Sequence, residues 1–600
     1  MDEHRNEGMP FTDGGPTVAA ALQPCDEGVI RDTRGAAPCW TSSQPWVIAA
    51  TSLGSGMAFL DSTVLNVALP ALQADLGAPA TQTQWVYGAY ALVLAALLLV
   101  GGTLGDRFGR RRVFVLGAII FAAASAWSAF APDAGQLIAA RATQGLGGAL
   151  LVPASLAILG VSFEGKLKAK AIGAWSALSA TAMAVGPVLG GWLVETVSWR
   201  AAFLITPMLA LVAVPIALWH VPESKDPAAR GLDLSGASLG TTGLAGLVYG
   251  LISSSARGFG DPVVIVALTA GAGALAAFVL VERRAKDPMV PPALFRSRNF
   301  SGANLVTLLF YMALTGSLYF VPFLMMQVHG YSALVAGSAF LPFVAMAFLI
   351  GRLSGRISAR FGTKGPLVVA SLALVAGFLL FVLPGVEHRS YWTSFFPAMV
   401  VQGFGMALAI TPLTTAALGS VESARSGLAS GVNNAVTRVA GLLAVAVLGM
   451  IVFATFSANL DARMENLDLP GTVRGQMEAA EADLGAAQAP EGVDARTTAR
   501  IEHAIDESFV AGFRAVMLVS AGLALASALS AALLIDDGRS RSTSSLLLDF
   551  GPTSRHRRWS VPMIVPTPDV RAGARRFTYV RSSKGAKGTG GGMLRWKQSK

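Results

Sequence analysis

Long apolar stretches recur along this chain of 600 residues, and they constrain its fold more than any other feature. A stretch of about 20 apolar residues is long enough to cross the hydrocarbon core of a membrane as an α-helix. Such stretches lie at 46–70, 84–105, 113–131, 136–160, 171–194, 201–221, 233–253, 262–281, 303–327, 333–351, 366–384, 393–417, 433–456 and 509–535. The sequence therefore predicts an all-α integral membrane protein with 14 transmembrane helices.

The composition excludes a soluble protein of this size. Hydrophobic residues make up 53% of the chain and charged residues 14%, whereas soluble domains carry about 25% charged residues. The net charge of +10 comes from residues 536–600, which hold 14 Lys/Arg and 4 Asp/Glu. We expect this basic tail to contact anionic lipid headgroups rather than nucleic acid.

The charges between the apolar stretches predict the topology. With both termini in the cytoplasm, the six short inner loops carry 19 Lys/Arg and the six short outer loops carry three, as the positive-inside rule requires. We therefore expect a cytoplasmic N-terminal tail at 1–45, a cytoplasmic C-terminal tail at 536–600 and insertion in the cell membrane. The loop at 457–508 would be extracytoplasmic, and its 11 acidic and 4 basic residues favour a solvated spacer.

An internal repeat divides the chain. GTLGDRFGRR at 102–111 aligns with GRISARFGTK at 355–364 at an offset of 253 residues. Two six-helix halves, 46–221 and 303–535, with two helices inserted between them at 233–281, account for the predicted helix count. Repeated halves are typical of transporters that alternate access to a central site.

Several motifs resemble one family when they are taken together and in order. They are LDSTVLNVALP in the first predicted helix, GTLGDRFGRRR after the second, RATQGLGG in the fourth, AVGPVLGGW in the fifth and WRAAF at the start of the sixth. Together they resemble the fourteen-span drug:proton antiporters of the major facilitator superfamily. The resemblance implies the major facilitator fold and export of small amphipathic drugs or toxic metabolites in exchange for protons, with the proton gradient as energy source and no cofactor.

Asp61 lies well inside the first apolar stretch, where a carboxylate costs about 2.5–3.5 kcal/mol. Gly54 and Ala58 share its helix face and leave space beside it. Arg141 and Gln144 lie on one face of the fourth predicted helix, and an arginine there should face the bundle interior. We interpret Asp61 as a proton carrier and Arg141 as the group that tunes it. The alternatives are a structural, hydrogen-bonded Asp61 and an Arg141 that reaches the membrane surface.

The loop after the second helix is the candidate gating loop. Gly102 and Gly109 permit tight turns, and Asp106 can face a helix N-terminus. Arg107 and Arg110 add positive charge. A basic loop that only sets topology is the alternative, but the spacing of Gly, Asp and Arg favours a gate. The resemblance implies a latch between the two halves.

The fifth predicted helix carries Gly186, Pro187, Gly190 and Gly191. Small residues four apart let a neighbouring helix approach closely, and the proline favours a kink. Close packing alone would explain this pattern. The resemblance to the antiporter motif implies in addition that this helix seals one side of an exporter.

Other functions stay open at this point. An uptake permease or a lipid or metabolite flippase could share the fold. A membrane-embedded enzyme would need clustered His, Cys or acidic residues, and the six histidines form no pair with metal-ligand spacing; we predict neither an enzyme nor a metal site. A sensor that signals through its basic tail is a further alternative. Arg438, near the start of the thirteenth stretch, is expected to reach the cytoplasmic surface.

Overall fold

The computed structural model describes residues 43–226, 233–285, 288–387, 390–421 and 426–536, with short gaps at 466, 468–469, 481–483, 485 and 491–492. The described residues form α-helices, a 3-10 helix at Pro292–Arg296, a π-helix at Leu324–Val328 and no β-strand. The helices are α1 Gln44–Leu76, α2 Ala80–Phe108, α3 Arg110–Ala129, α4 Ala134–Ser162, α5 Gly165–Thr196, α6 Trp199–His220, α7 Leu234–Arg257, α8 Pro262–Arg284, α9 Arg298–Phe323, α10 Ala333–Ser338, α11 Leu341–Phe361, α12 Lys364–Phe381, α13 Tyr391–Ser394, α14 Phe396–Leu418, α15 Ser426–Glu465, α16 Gly471–Ala480 and α17 Ala495–Leu534.

The described helices match the predicted membrane spans. Thirteen of them are long and apolar enough to cross a membrane, one of these spans combining α10 with the start of α11. The remaining predicted stretch, at 233–253, also forms a helix, α7. Glycine, serine and threonine make up much of α7, so its apolar character is weaker than that of the other spans.

Helix packing contacts are extensive within each predicted half. In the first half α4 packs against α2 and α3, and α1 packs against α5 and α6. In the second half α14 packs against α11 and α12, and α17 packs against α9, α12 and α15. The halves meet where α2 contacts α15 and where α5 contacts α10. The inserted helices α7 and α8 pack on each other, and α7 lies against both α2 and α15.

The two copies of the repeat share a backbone feature. Gly109 follows α2 with φ +114°, and Gly362, 253 residues later, follows α11 with φ +83°. Both values fall in the region that favours glycine. A glycine with positive φ therefore lies between the second and third helices of each half.

The structure corrects the prediction of a solvated spacer at 457–508. α15 continues to Glu465 and α17 already begins at Ala495, and Met477, Leu484 and Ile501 from this segment are buried in the main hydrophobic core. Both helices extend the bundle beyond its apolar part, because charged residues on their exposed faces can be solvated while their apolar faces still pack. The tails predicted at 1–45 and 536–600 lie almost wholly outside the described residues.

Candidate functional site

Asp61 and Arg141 form a buried ion pair between α1 and α4. Arg141 Nη1 lies 2.7 Å from Asp61 Oδ2. The exposed fraction is 0% for Arg141 and 4% for Asp61. Arg141 therefore lies inside the bundle rather than at the membrane surface, and the structure brings together the two residues that the sequence identified separately.

Gln144 completes this cluster from the same face of α4. Its Nε2 donates to Asp61 Oδ1 at 2.8 Å, and its Oε1 accepts from Arg141 Nη1. Each carboxylate oxygen of Asp61 thus accepts a hydrogen bond from a different side chain. The 3-residue spacing of Arg141 and Gln144 produces this arrangement, since residues i and i+3 are neighbours on a helix surface.

The remaining contacts of Arg141 bind it to α2. Its Nε donates to the Val86 carbonyl at 3.2 Å, and its Cζ lies 4.5 Å from the centre of the Tyr90 ring. Arg141 Nη2 is buried and has no hydrogen-bond partner among the described residues. A buried arginine is expensive without a counter-charge, so the cluster depends on an ionised Asp61.

Most of the candidate gating loop is helical, which corrects the predicted turn at Gly102. Gly102, Asp106 and Arg107 lie in the last turns of α2, and Arg110 begins α3. Only Gly109 connects the two helices.

This segment contacts the end of its own half. Arg110 Nη2 lies 2.8 Å from Asp106 Oδ1. A Cβ atom at Gly109 would come within 2.6 Å of Glu223 Oε1, which itself accepts from the backbone N–H of Arg111 at 3.1 Å. The backbone φ of +114° favours glycine at position 109, and a larger residue would also displace the Glu223 carboxylate.

Two acidic partners of this loop were missed by sequence reasoning. Glu223 accepts from backbone N–H groups at the start of α3, and the backbone N–H of Asp226 donates to the Asp106 carbonyl at 2.9 Å. Both follow α6 in a polar segment with no periodic signal. Arg107 contacts the ring of Phe108, and Gly102 faces Pro153 of α4 at ordinary van der Waals distance. In this structure the described contacts of the loop lie within the first half.

The α5 motif packs at two interfaces. A Cβ atom at Gly186 would collide with Thr63 Oγ1, and one at Gly190 would lie 3.0 Å from Val64 Cγ1, so both glycines face α1. A Cβ atom at Gly191 would collide with the Ala333 carbonyl of α10. Close approach of helix backbones needs such small residues.

Pro187 lies at the second of these interfaces. Its carbonyl sits where a Cβ atom of Gly337, in α10, would be. The predicted motif therefore joins the two halves of the molecule through backbone contact.

Polar contacts join the halves at the same end of the bundle, which we call the Leu76 end because α1 terminates there. Gln327 Nε2 donates to Gln73 Oε1 at 3.3 Å, and the backbone N–H of Leu334 donates to Glu195 Oε2 at 3.0 Å. α5 packs extensively on α10 but little on α11, which continues toward the opposite, Gln44 end. At the α5–α10 seam the halves are thus closed against each other at the Leu76 end.

Two carboxylates meet at the Gln44 end of the inserted pair, and sequence reasoning missed them. Asp233 caps α7, and Glu282 lies near the end of α8 with an exposed fraction of 2%. Asp233 Oδ2 and Glu282 Oε1 are both buried without a hydrogen-bond donor among the described residues. Both lie within 2.7 Å of the position of a Cβ atom on Gly236, so they are close to each other.

Arg438 does not reach the cytoplasmic surface, as the sequence predicts it should. It lies within α15, with its Cζ 5.8 Å from the centre of the Phe59 ring of α1. It therefore points into the bundle rather than to the membrane surface. Among the described residues no group of His, Cys, Asp and Glu could hold a metal ion.

Comparison with known proteins identifies the family. A sequence profile described as Major Facilitator Superfamily matches residues 51–445. This chain belongs to the Major Facilitator Superfamily. The chain is accordingly a multi-pass membrane protein of a transporter family, and this membership confirms the resemblance found in its motifs.

Curated members of the superfamily resemble this chain over most of their length. Multidrug resistance protein Stp of Mycobacterium tuberculosis is 34% identical over 491 residues, covering 80% of this chain and 89% of Stp. The tetracenomycin C resistance and export protein of Streptomyces glaucescens is 33% identical, covering 81% of this chain and 90% of that protein. Multidrug efflux pump LfrA of Mycolicibacterium smegmatis is 30% identical, covering 84% and 98%.

Solved structures agree on the fold. A bacterial homologue of the human lysosomal transporter Spinster, in an inward-facing and unoccupied conformation, aligns with a TM-score of 0.55 and 17% identity, covering 83% of this chain and all of that chain. A mutant of the nucleoside transporter NupG aligns with a TM-score of 0.54 and 11% identity, covering 82% of this chain and all of NupG. The predicted all-α major facilitator fold is confirmed.

Proposed function

We propose that this chain is a secondary transporter that exports amphipathic drugs or toxic metabolites across the cytoplasmic membrane in exchange for protons. The Asp61–Arg141–Gln144 cluster is the observation that carries the proposal. Relatives that share about a third of their residues with this chain are named as resistance, export and efflux proteins. The cluster supplies what such an exporter needs, a titratable carboxylate buried between two helices of the bundle.

Protonation of Asp61 changes the contacts that bind α1 to α4. The ionised carboxylate accepts from Arg141 and Gln144, and a protonated carboxyl group loses the charge that holds Arg141. Arg141 keeps its hydrogen bonds to Gln144 and to the Val86 carbonyl, so it stays with α2 and α4 while α1 is released. One proton thus biases the position of α1 relative to its neighbours.

The α5 motif transmits this bias to the interface between the halves. Gly186 and Gly190 hold α5 against α1, and Gly191 and Pro187 hold it against α10. Movement of α1 therefore reaches the α5–α10 contact through backbones that touch. With both termini in the cytoplasm the Leu76 end faces outward, and opening of this contact releases the drug outside.

The candidate gating loop acts in the opposite step. Its arginines and Asp106 lie at the cytoplasmic ends of α2 and α3, where a latch to the second half would close the inner side once the outer side opens. The proton gradient suffices as energy source, since each charge that moves down 100 mV yields about 2.3 kcal/mol. We propose further that the basic tail at 536–600 contacts anionic lipid headgroups.

Everted membrane vesicles test the proposal. Vesicles that contain the protein should accumulate a fluorescent drug when the vesicle interior is more acidic than the outside, and vesicles with an inactive Asp61 variant should not. Drug movement in the opposite direction, or accumulation that ignores the pH gradient, would exclude a proton-coupled exporter and favour a permease or a flippase.

A further inference from the structure

Arg438 is an unneutralised positive charge in the interior of the bundle. Its guanidinium lies over the ring of Phe59, which is half-way along α1, Gln44–Leu76, so Arg438 lies near the mid-length of a membrane-spanning helix. Among the described residues no carboxylate lies within ion-pair distance of it. Ionisable side chains at this depth face a bundle interior or a water-filled cavity and mark the path of a substrate.

The neighbours of Arg438 place it between the two halves. Its guanidinium lies over Phe59 of α1, and α15 packs against α2, which carries Tyr87, and against α9, which carries Tyr311. One helical turn further along α15, a Cβ atom at Gly441 would lie 3.5 Å from Tyr87 Oη. Arg438, Phe59, Tyr87 and Tyr311 are all half-buried.

The charge balance at this level favours an anion. Asp61 is already neutralised by Arg141, and Arg438 adds one positive charge for which the described residues provide no partner. A guanidinium binds a carboxylate through two parallel hydrogen bonds. The aromatic rings beside it offer apolar faces to a flat ring system.

We infer that Arg438 is the specificity-determining residue of a substrate site that takes amphipathic molecules carrying a carboxylate or a similar single anionic group, with their aromatic part against Phe59 and Tyr311. This inference rests on the proposed export function and names the substrate class of the central site. Cationic drugs would not use Arg438.

A matched pair of dyes tests the inference. Fluorescein and a rhodamine ester share one three-ring skeleton, but fluorescein is anionic and the rhodamine ester is cationic. Wild-type vesicles should export fluorescein, and Arg438→Gln should lower fluorescein export about tenfold or more relative to the rhodamine ester, as loss of a charged hydrogen bond requires. Arg438→Lys should retain part of it. Arg514→Gln is the control, because Arg514 donates to the carbonyls of Val382 and Pro384 instead, and it should leave the ratio of the two dyes unchanged.

Binding to the purified wild-type protein provides a second readout that does not depend on the folding of a variant. Naphthoate should displace bound fluorescein, and neutral naphthamide should not. Export of the rhodamine ester without fluorescein, equal loss of both dyes in Arg438→Gln, or equal competition by naphthoate and naphthamide would each overturn the inference while leaving an exporter. Failure of the wild-type protein to export any compound of a broad panel would overturn the proposed function as well.

Discussion

The Asp61–Arg141 pair predicts a specific pattern of stability when its charges are removed. Asp61→Asn keeps the shape of the side chain and one hydrogen bond, but it leaves Arg141, with an exposed fraction of 0%, without a counter-charge. Removing one partner of a buried pair costs about 3–5 kcal/mol of the free energy of unfolding. Loss of a neutral hydrogen bond would cost only about 1 kcal/mol.

The double variant Asp61→Asn with Arg141→Gln separates these two costs. It removes both charges, so most of the stability lost in Asp61→Asn should return, because replacing a whole buried pair by neutral groups is often nearly neutral. The control is Asp75→Asn on the same helix. Asp75 pairs with Arg200 at the bundle surface, with side-chain exposures of 49% and 36%, and such pairs contribute at most about 1 kcal/mol.

Thermal or denaturant unfolding of the purified proteins in detergent measures this pattern. We expect Asp61→Asn to be much less stable than Asp75→Asn and the double variant to lie close to wild type, although it cannot couple to protons. Equal stability of Asp61→Asn and wild type would refute the reasoning, since it would mean that Asp61 is not ionised beside Arg141 in the folded protein.

Three further predictions concern packing, the loop and the inserted helices. Gly186→Ala should lower the free energy of unfolding by about 1–3 kcal/mol through overpacking, and adding Thr63→Ala should restore most of this loss. Gly173→Ala is the control, because a Cβ atom there has open space around it, and it should change stability little. A clear loss of stability in Gly173→Ala in the same unfolding assay would contradict the packing argument. Asp106→Asn should nearly abolish dye efflux while the amount of protein in the membrane stays normal. The loss of stability should stay within about 1 kcal/mol, because the ion pair of Asp106 is partly exposed. Full efflux would mean that the loop only sets the membrane topology. Glu282→Gln should keep or raise the free energy of unfolding, by up to about 1 kcal/mol, because an amide can donate where two carboxylates now face each other; a clear loss of stability would show that the charge of Glu282 is needed.

The sequence was sufficient to predict the membrane spans and to single out the members of the central pair. A lone carboxylate in an apolar stretch is costly wherever it lies, so the position of Asp61 in the sequence already demands a partner. The spacing of Arg141 and Gln144 puts both side chains on one helix face. Their meeting with Asp61 follows from helix packing, which no local pattern encodes.

Polar contacts between distant segments could not be predicted in the same way. Gln73 and Gln327 are ordinary polar residues near helix ends, and Glu223 lies in a polar connection, so none of them stands out until the fold brings its partner close. The parts of α15 and α17 within 457–508 carry charged faces and look like loops on a hydropathy scale. The position of Arg438 was predicted wrongly because α15 begins at Ser426, before the apolar stretch predicted from 433, so Arg438 lies within the helix and not at its end.

The most direct test of the account is the simultaneous measurement of proton and drug movement in proteoliposomes that contain only this protein. Addition of drug on the cytoplasmic side should release protons on that side from the wild-type protein at a fixed ratio to the drug transported, and Asp61→Asn should bind drug without releasing protons or concentrating the drug. Gradient-driven drug accumulation by Asp61→Asn equal to that of the wild type would contradict the claim that Asp61 carries the proton.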